Sequence, residues 1–342
     1  MDVDIILEPN LTPVEIAELG QVAESYGARA IWHADYFAHW DPFVALTTLA
    51  NQTSKIRMGI LAIAPFEMHP LKIANQLLSL NEICDGRAMV SIGAGEGNND
   101  AMALDTPKKI VLAVREAIEI VRASAHGGLK DGFDGEIFNV NHPCAYDWLS
   151  CEPPLVYGAA YRYMMMRMQG RVADGCFIGC TPPEVVGPAV ENIQVGLSRR
   201  DTPCENFRIG TYWAWHIKED REAAFRESRH ELPWRARKLD PELTALFLTP
   251  DEVDIVTRNF DNYVDAYFKN VDEVENVSKE ISNKLATGFT STGGLDDLGR
   301  EIERFKLFAQ AGLSEISFKL HDDPMDALHI IGKQVIPALR DY

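Results

Sequence analysis

No apolar run in this chain reaches the ~18–20 residues that crossing a bilayer requires. The N-terminal Met1-Asp-Val-Asp also lacks the basic start of an export signal, so a soluble cytoplasmic protein is expected. Basic residues are scarce: 33 Lys and Arg stand against 51 Asp and Glu, a formal net charge of −18. This excludes a broad basic face for nucleic acid or anionic lipid. The six cysteines are scattered and none forms C-x-x-C. Reduced thiols are expected, with no metal site. There is no polar linker to divide the chain, and no solenoid self-similarity at roughly 34–40 residues.

What is present supports a large core, since 46% of the 342 residues are hydrophobic. The organising stretch runs from Asn81 to Asp100. Asp85-Gly86 is a helix stop, because glycine takes the left-handed turn that a helix end needs. Residues 87–92 are short and apolar, as a strand buried on both faces should be. The strand opens into a loop in which Gly93, Ala94, Gly95 and Gly97 let backbone approach a ligand, with Glu96 as a possible acid or base among them. Such a glycine repeat alone is weak evidence, and the surrounding chain must support it.

The surroundings repeat one unit. Apolar strands are read at 2–7, 29–34, 56–64, 87–92, 155–159, 175–179, 207–217 and 315–320, with helical spacing between them. Thr12-Pro13-Val14-Glu15 carries a capping box with proline at the first helical position. Asp41-Pro42 opens another helix, and Asp134-Gly135 marks a hairpin turn in an irregular stretch at 127–154. Strand–helix alternation predicts a parallel sheet, and eight units predict a closed barrel. The fold class is therefore α/β, a (β/α)8 TIM barrel. Residues 219–290 are charged and helix-rich, and read as a helical insertion after strand seven within a single barrel domain spanning 1–342.

In such a barrel the chemistry sits where strands end. The polar residues there are Glu8, the run from Asp35 to Trp40, the run from Pro65 to His69, the run from Glu96 to Asp100, and Tyr161-Arg162. Each also has a structural reading. Asp35 is a loop-bracing residue as readily as a ligand, and Trp40 is a core or interface residue as readily as a cover for a flat ring. His33, Asp35 and His39 do not make a convincing metal set, since His39 lies beyond a turn.

Several motifs together resemble one family. They are Asp35-x-Phe37-x-x-Trp40; a third strand running from Lys-Ile-Arg-Met-Gly59 to His69-Pro70; Asn81-Glu-Ile-x-x-Gly-Arg-Ala; and Ile92-Gly-Ala-Gly-Glu96. Leu155-Val-Tyr-Gly-Ala-Ala160, Gly170-Arg-Val-Ala-Asp-Gly175 and Gly312-Leu-Ser-Glu-Ile-Ser317 complete the set. The set resembles the bacterial luciferase-like superfamily of flavin and deazaflavin barrels. Within it the pattern is most similar to the methylenetetrahydromethanopterin reductases and the deazaflavin-dependent glucose-6-phosphate dehydrogenases. The resemblance implies hydride transfer between coenzyme F420 and a small organic substrate. The alternative is an FMN-dependent monooxygenase using reduced flavin and O2, and a third reading is a non-catalytic member.

Carried over by position, Asp35 and Trp40 meet the deazaflavin ring. Leu61, Ala62 and Ile63 lie behind it, where the family often has a non-proline cis peptide. Gly93, Ala94, Gly95, Glu96 and Asn99 meet the ring or the phosphate-bearing tail, and Ala159, Ala160 and Tyr161 line the tail site. The family pattern departs at two places. Tyr36 stands where the dehydrogenases have histidine, and Ile6 where the reductases have glutamate, with Glu8 two residues on along the same strand face. Glu96, Glu8 and Tyr36 are thus the candidate catalytic residues. Glu96 and Asp35 are expected to split in pKa beside a low-dielectric ring. The resemblance also implies a homodimer or dimer of dimers, paired through the apolar helices near 42–53 and 70–84.

Overall fold

Eight parallel strands close on themselves in the computed structural model, which describes residues 1–105 and 108–342, the side chains of Glu96, Ala236 and Arg237 excepted. In chain order the strands are β1 (Asp2–Leu7), β2 (Ala30–Ala34), β3 (Arg57–Ile63), β4 (Ala88–Ile92), β5 (Phe133–Asp134), β6 (Asn139–Val140), β7 (Leu155–Ala160), β8 (Gly175–Ile178), β9 (Arg208–Ile217), β10 (Ser291–Gly293) and β11 (Glu315–Lys319). The barrel order is β9-β11-β1-β2-β3-β4-β7-β8, and a β8–β9 pairing closes the ring. The expected TIM barrel is the fold. β5 and β6 form a small antiparallel hairpin outside it, and the short β10 extends the sheet beside β9.

Local signals act where the sequence places them. Thr12 Oγ1 accepts from the Glu15 amide at 3.3 Å, and Glu15 returns an acceptor to the Thr12 amide at 2.8 Å. Asp85 and Gly86 both take the left-handed conformation, and the Gly86 amide closes on the Asn81 carbonyl at 2.9 Å. Arg87 then ties this corner together. Its guanidinium donates to the carbonyls of Cys84, Ile56 and Ala50 at 2.7, 2.7 and 2.9 Å. One local expectation changes. The glycine-rich loop after β4 winds into a short helix, Glu96–Ala101, because Gly95 (φ 66°) turns the chain and the Asn99 amide bonds back to its carbonyl at 2.9 Å.

Two apolar layers result from strand alternation. Outward side chains pack under the helices, while Ile6, Trp32, Met89, Tyr157 and Phe177 fill the barrel. Trp32 meets Phe177 edge-on at 4.9 Å and Tyr157 at 5.4 Å. The N-terminal end of the barrel is plugged by charge. Arg29 pairs with Asp4 and lies 2.9 Å from Glu315, Arg208 reaches Glu315 at 2.5 Å, and Trp32 Nε1 donates to Asp4 at 2.8 Å. The Asp4 and Glu315 side chains have no solvent exposure, so the plug depends on its pairing.

After β9 the chain runs through helices that include Arg221–His230, Pro250–Arg258, Phe260–Phe268 and Lys279–Phe289. They have an apolar cluster of their own, built on Leu232, Val256, Tyr263, Ile281, Leu285 and Phe289. Arg229 stitches them from inside, donating to Asp272 at 2.5 Å, Asn283 at 2.8 Å and Glu222 at 2.9 Å. This arch stands over the C-terminal mouth of the barrel. Between the two lies a cleft of ≈ 1130 Å³, lined by Glu8, Tyr36, Tyr212 and Lys319 from the barrel and by Glu231, Arg235 and Tyr267 from the arch.

Candidate active site

One wall of the mouth is a shelf of very small side chains. The Leu61–Ala62 peptide is cis, and both residues are half-buried at the end of β3. Gly93 follows β4, and Ala159 is the last but one residue of β7. A Cβ placed on Gly93 would lie 3.4 Å from Ala159 Cβ and 3.5 Å from Ala62 Cβ, so three strand ends meet with almost no side chain between them. Ile63 and Ala160 point the other way, into the core under the helices. Gly95 is required where it stands, since a Cβ there would sit 2.2 Å from Ala64 Cβ. Asn99 donates to the Ala94 carbonyl at 2.8 Å, and its Oδ1 is buried without a partner among the described residues, as is Ser91 Oγ. Such unmet polar atoms are uncommon in an interior and mark a place for a ligand or water. Tyr161 lies at the rim with its ring against Gly179, where a Cβ would clash at 1.7 Å.

Asp35 borders this shelf, but its described carboxyl partner is Glu67. Glu67 Oε1 accepts from the Ala64 amide at 2.5 Å and Oε2 from Asn98 Nδ2 at 2.8 Å. Asn98 also reaches the Asp35 carboxylate at 3.4 Å. Both Glu67 oxygens are thus held by N–H donors. Burial first, and the Glu67 charge second, push the Asp35 carboxyl up to about 7. The carboxyl that is raised is Asp35, and the carboxylate beside it is Glu67; the Glu96 side chain, expected to split with Asp35, lies outside the described residues. Glu67 stood in the rim run after strand three without being singled out. The signal for it was that it is the one acid between Pro65 and Pro70. Tyr36, Phe37 and Trp40 are exposed on the same loop as Asp35, and only Tyr36 of these lines the cleft. His33 does not reach the mouth. It alternates with Trp32, is fully buried, and neither ring nitrogen has a partner among the described residues.

The opposite wall is a chain of hydrogen bonds. Glu8 Oε1 lies 3.0 Å from Lys319 Nζ and 2.9 Å from His321 Nδ1. His321 Nε2 is 3.2 Å from Arg235 Nη2. Arginine only donates, so Nε2 must accept and the imidazole proton sits on Nδ1, pointed at Glu8. Arg235 also donates to the Tyr212 hydroxyl oxygen and, at 3.1 Å, to Glu231. Beside it, His216 stacks face to face on His321, with centroids 4.7 Å apart, and meets Glu227 through Nδ1 at 2.6 Å. Burial holds both imidazoles below their ordinary pKa. The carboxylate of Glu227 is depressed to about 2: burial opposes this, but His216 and Lys218 outweigh it. Tyr212, Arg235, Lys319 and His321 escaped the sequence reading because residues from β9, the arch and β11 converge only in space.

A closed parallel barrel with a polar mouth, a side-chain-free shelf and a carboxyl poised near neutrality defines an enzyme of the TIM-barrel class. The sequence profile of the luciferase-like monooxygenases matches residues 5–268, and the chain belongs to that family. It is 26% identical over 337 residues to 5,10-methylenetetrahydromethanopterin reductase of Archaeoglobus fulgidus, covering 97% of this chain and 98% of that one. It is 27% identical over 175 residues to F420-dependent glucose-6-phosphate dehydrogenase of Kineococcus radiotolerans, covering 48% and 51% of the two chains. Among solved structures, coenzyme F420-dependent tetrahydromethanopterin reductase from Methanopyrus kandleri superposes with a TM-score of 0.74 at 21% identity, over 98% of this chain and 99% of that one. The 3,6-diketocamphane monooxygenase component from Pseudomonas putida, solved with FMN, gives 0.67 at 17% identity, over 98% of both chains. The relatives named by sequence are oxidoreductases, as expected from the motifs.

Proposed function

We propose that this protein is a coenzyme F420-dependent oxidoreductase acting on a small organic substrate held between the barrel mouth and the helical arch. The observation that carries the reading is the shelf of Ala62, Gly93 and Ala159. It leaves room for a flat ring system and is bordered by Asp35 on one side and by the unmet acceptors of Asn99 and Ser91 on another. The full-length likeness to a methylenetetrahydromethanopterin reductase supports the deazaflavin over other flat ligands. When bound, such a coenzyme supplies two-electron hydride chemistry.

The protein's own residues do the rest. Leu61, Ala62, Gly93 and Ala94 would hold the ring by contact and Trp40 would cover it, while Gly95, Asn99 and Tyr161, with Ala159 at the edge of the shelf, would serve the polar tail. Ile63 and Ala160 set the strand ends from behind. Asp35, held by Asn98 and opposed by Glu67, keeps or gives up a proton close to neutral pH. Glu8 fixes the proton of His321 on Nδ1 and thereby the face that His321 and Arg235 present to the cleft. Glu96 and Tyr36 are the further candidates for proton handling, from the loop after β4 and the lip of the cleft. The arch excludes water. The FMN-dependent monooxygenase reading is favoured by the shared fold with flavin enzymes of the family.

Titration of the purified protein with F420 and with FMN, each followed by its own fluorescence, separates the two. Tighter F420 binding, with no oxygen consumed when reduced cofactor is supplied, is expected. Tighter FMN binding with oxygen uptake overturns the assignment.

A further inference from the structure

The far wall of the cleft carries several cationic side chains, yet the buried ones are already neutralised. Arg235 is 1% exposed; its terminal nitrogens are taken up by Glu231, Tyr212 and His321, and its Nε is buried without a partner among the described residues. Lys319 is paired with Glu8, and Lys218 with Glu227 and the Asp322 carbonyl. Burial works against the charge on Lys319, but Glu8 and Glu231 more than compensate, so the ammonium is held. His321 and His216 add no charge, because His321 accepts from Arg235 and burial holds both stacked rings below their ordinary pKa. Arg226 has no carboxylate partner among the described residues, but it is exposed at the lip, in a cleft whose lining also includes Asp322 and Asp323.

A phosphate or carboxylate entering here would find the buried cations occupied, and only Arg226, out at the lip, without a carboxylate partner among the described residues. It would have to displace Glu8 or Glu231 from their cations, or lie beside like charges. What the wall does offer is neutral. The Tyr212 oxygen accepts from Arg235, so its own O–H is directed elsewhere, and Tyr212 lines the cleft. Across from it, Trp234 meets Tyr267 edge-on at 5.2 Å, and His230 stacks on Tyr267 at 4.7 Å. This gives an apolar aromatic face opposite a hydroxyl donor.

We infer that the substrate presents to this wall an uncharged hydrogen-bonding group, a carbonyl, hydroxyl or imine, carried on a flat or apolar body, and that phosphorylated substrates are refused. Tyr212 donates to that group, and the paired carboxylates Glu8 and Glu231 are specificity residues that keep Lys319 and Arg235 from capturing an anion. The inference rests on the proposed function only in calling the ligand a substrate.

The test is calorimetric, on protein first saturated with F420 so that the coenzyme covers its own phosphate site. Glucose 6-phosphate and glucose are titrated in turn, into the parent protein and into Glu231→Gln, which leaves Arg235 without its carboxylate. The parent is expected to bind glucose 6-phosphate no better than glucose, and the folded variant to gain roughly tenfold or more for the phosphate ester. A parent that prefers glucose 6-phosphate by roughly tenfold overturns the inference, and so does a folded variant that gains nothing. The parent comparison decides alone if the variant does not fold. F420 binding is measured beforehand by fluorescence; a protein that refuses the coenzyme refutes the cofactor assignment, while the glucose 6-phosphate comparison still decides the cleft.

Discussion

Replacing Asp35 with asparagine should stabilise the protein at neutral and alkaline pH, and leave it unchanged in acid. The Asp35 carboxyl rises from an ordinary 3.8 to about 7, through burial first and the Glu67 charge second. A carboxyl raised in the folded state favours folding when protonated. Its stabilising share is complete below the unfolded value and is lost as pH rises through the folded one. The window is therefore about pH 4 to 7, set by those two values. A rise of about three pH units at ~1.4 kcal/mol each sets a ceiling of about 4 kcal/mol. Asp35 is partly exposed and shares its effect with Glu67, which reduces the expectation to about 2 kcal/mol. An asparagine imitates the protonated acid, and its amide oxygen can still accept from Asn98. The assay is urea unfolding of parent and Asp35→Asn, followed by tryptophan fluorescence, across this window. The variant should gain with rising pH and reach a plateau above about pH 7. A difference that stays flat across the window, or a variant less stable in alkali, would show that the Asp35–Glu67 pair does not hold a proton.

Other changes probe separate parts of the molecule. Gly93→Leu fills the shelf between Ala62 and Ala159, and should weaken F420 binding by roughly a hundredfold or more while the circular dichroism stays that of the parent; retained affinity would move the ring elsewhere. Arg29→Met strips the barrel plug of the cation that faces Asp4 and Glu315, and should cost about 3–5 kcal/mol in unfolding experiments without altering coenzyme affinity. Glu96→Gln keeps size and hydrogen bonding but not the ionisable group. If Glu96 handles a proton, turnover with F420 and its substrate falls by roughly two orders of magnitude with binding nearly intact; a change in affinity alone makes it a binding residue. Val44 and Ile83, exposed on the helices Pro42–Gln52 and Pro70–Ile83, should be covered in a dimer, and a monomer at micromolar concentration in sedimentation would refute that pairing.

The barrel was readable because its signals are local. Thr12 and Glu15 cap a helix within one turn, Asp85-Gly86 ends another, and each strand is an apolar run short enough to recognise. The family followed from motifs that lie at strand ends, and those motifs brought Asp35, the Gly93–Asn99 loop and Ala159 to one mouth. Glu67 was harder: its significance depends on Asn98 and the Ala64 amide holding it against Asp35, a relation between three strand ends that no spacing in the chain expresses. Of the far wall only Glu8 was readable. Arg235 lies in a charged helical stretch that reads as solvent-exposed, and Glu8, Tyr212, Lys319 and His321 come from three different strands and the turn after the last of them. Which cation meets which carboxylate is settled by where the arch comes down on the barrel, because charges pair through distance in space. Local chemistry thus determined the elements and the family, while tertiary packing decided which groups are neutral, which is poised to titrate, and what kind of ligand the cleft accepts.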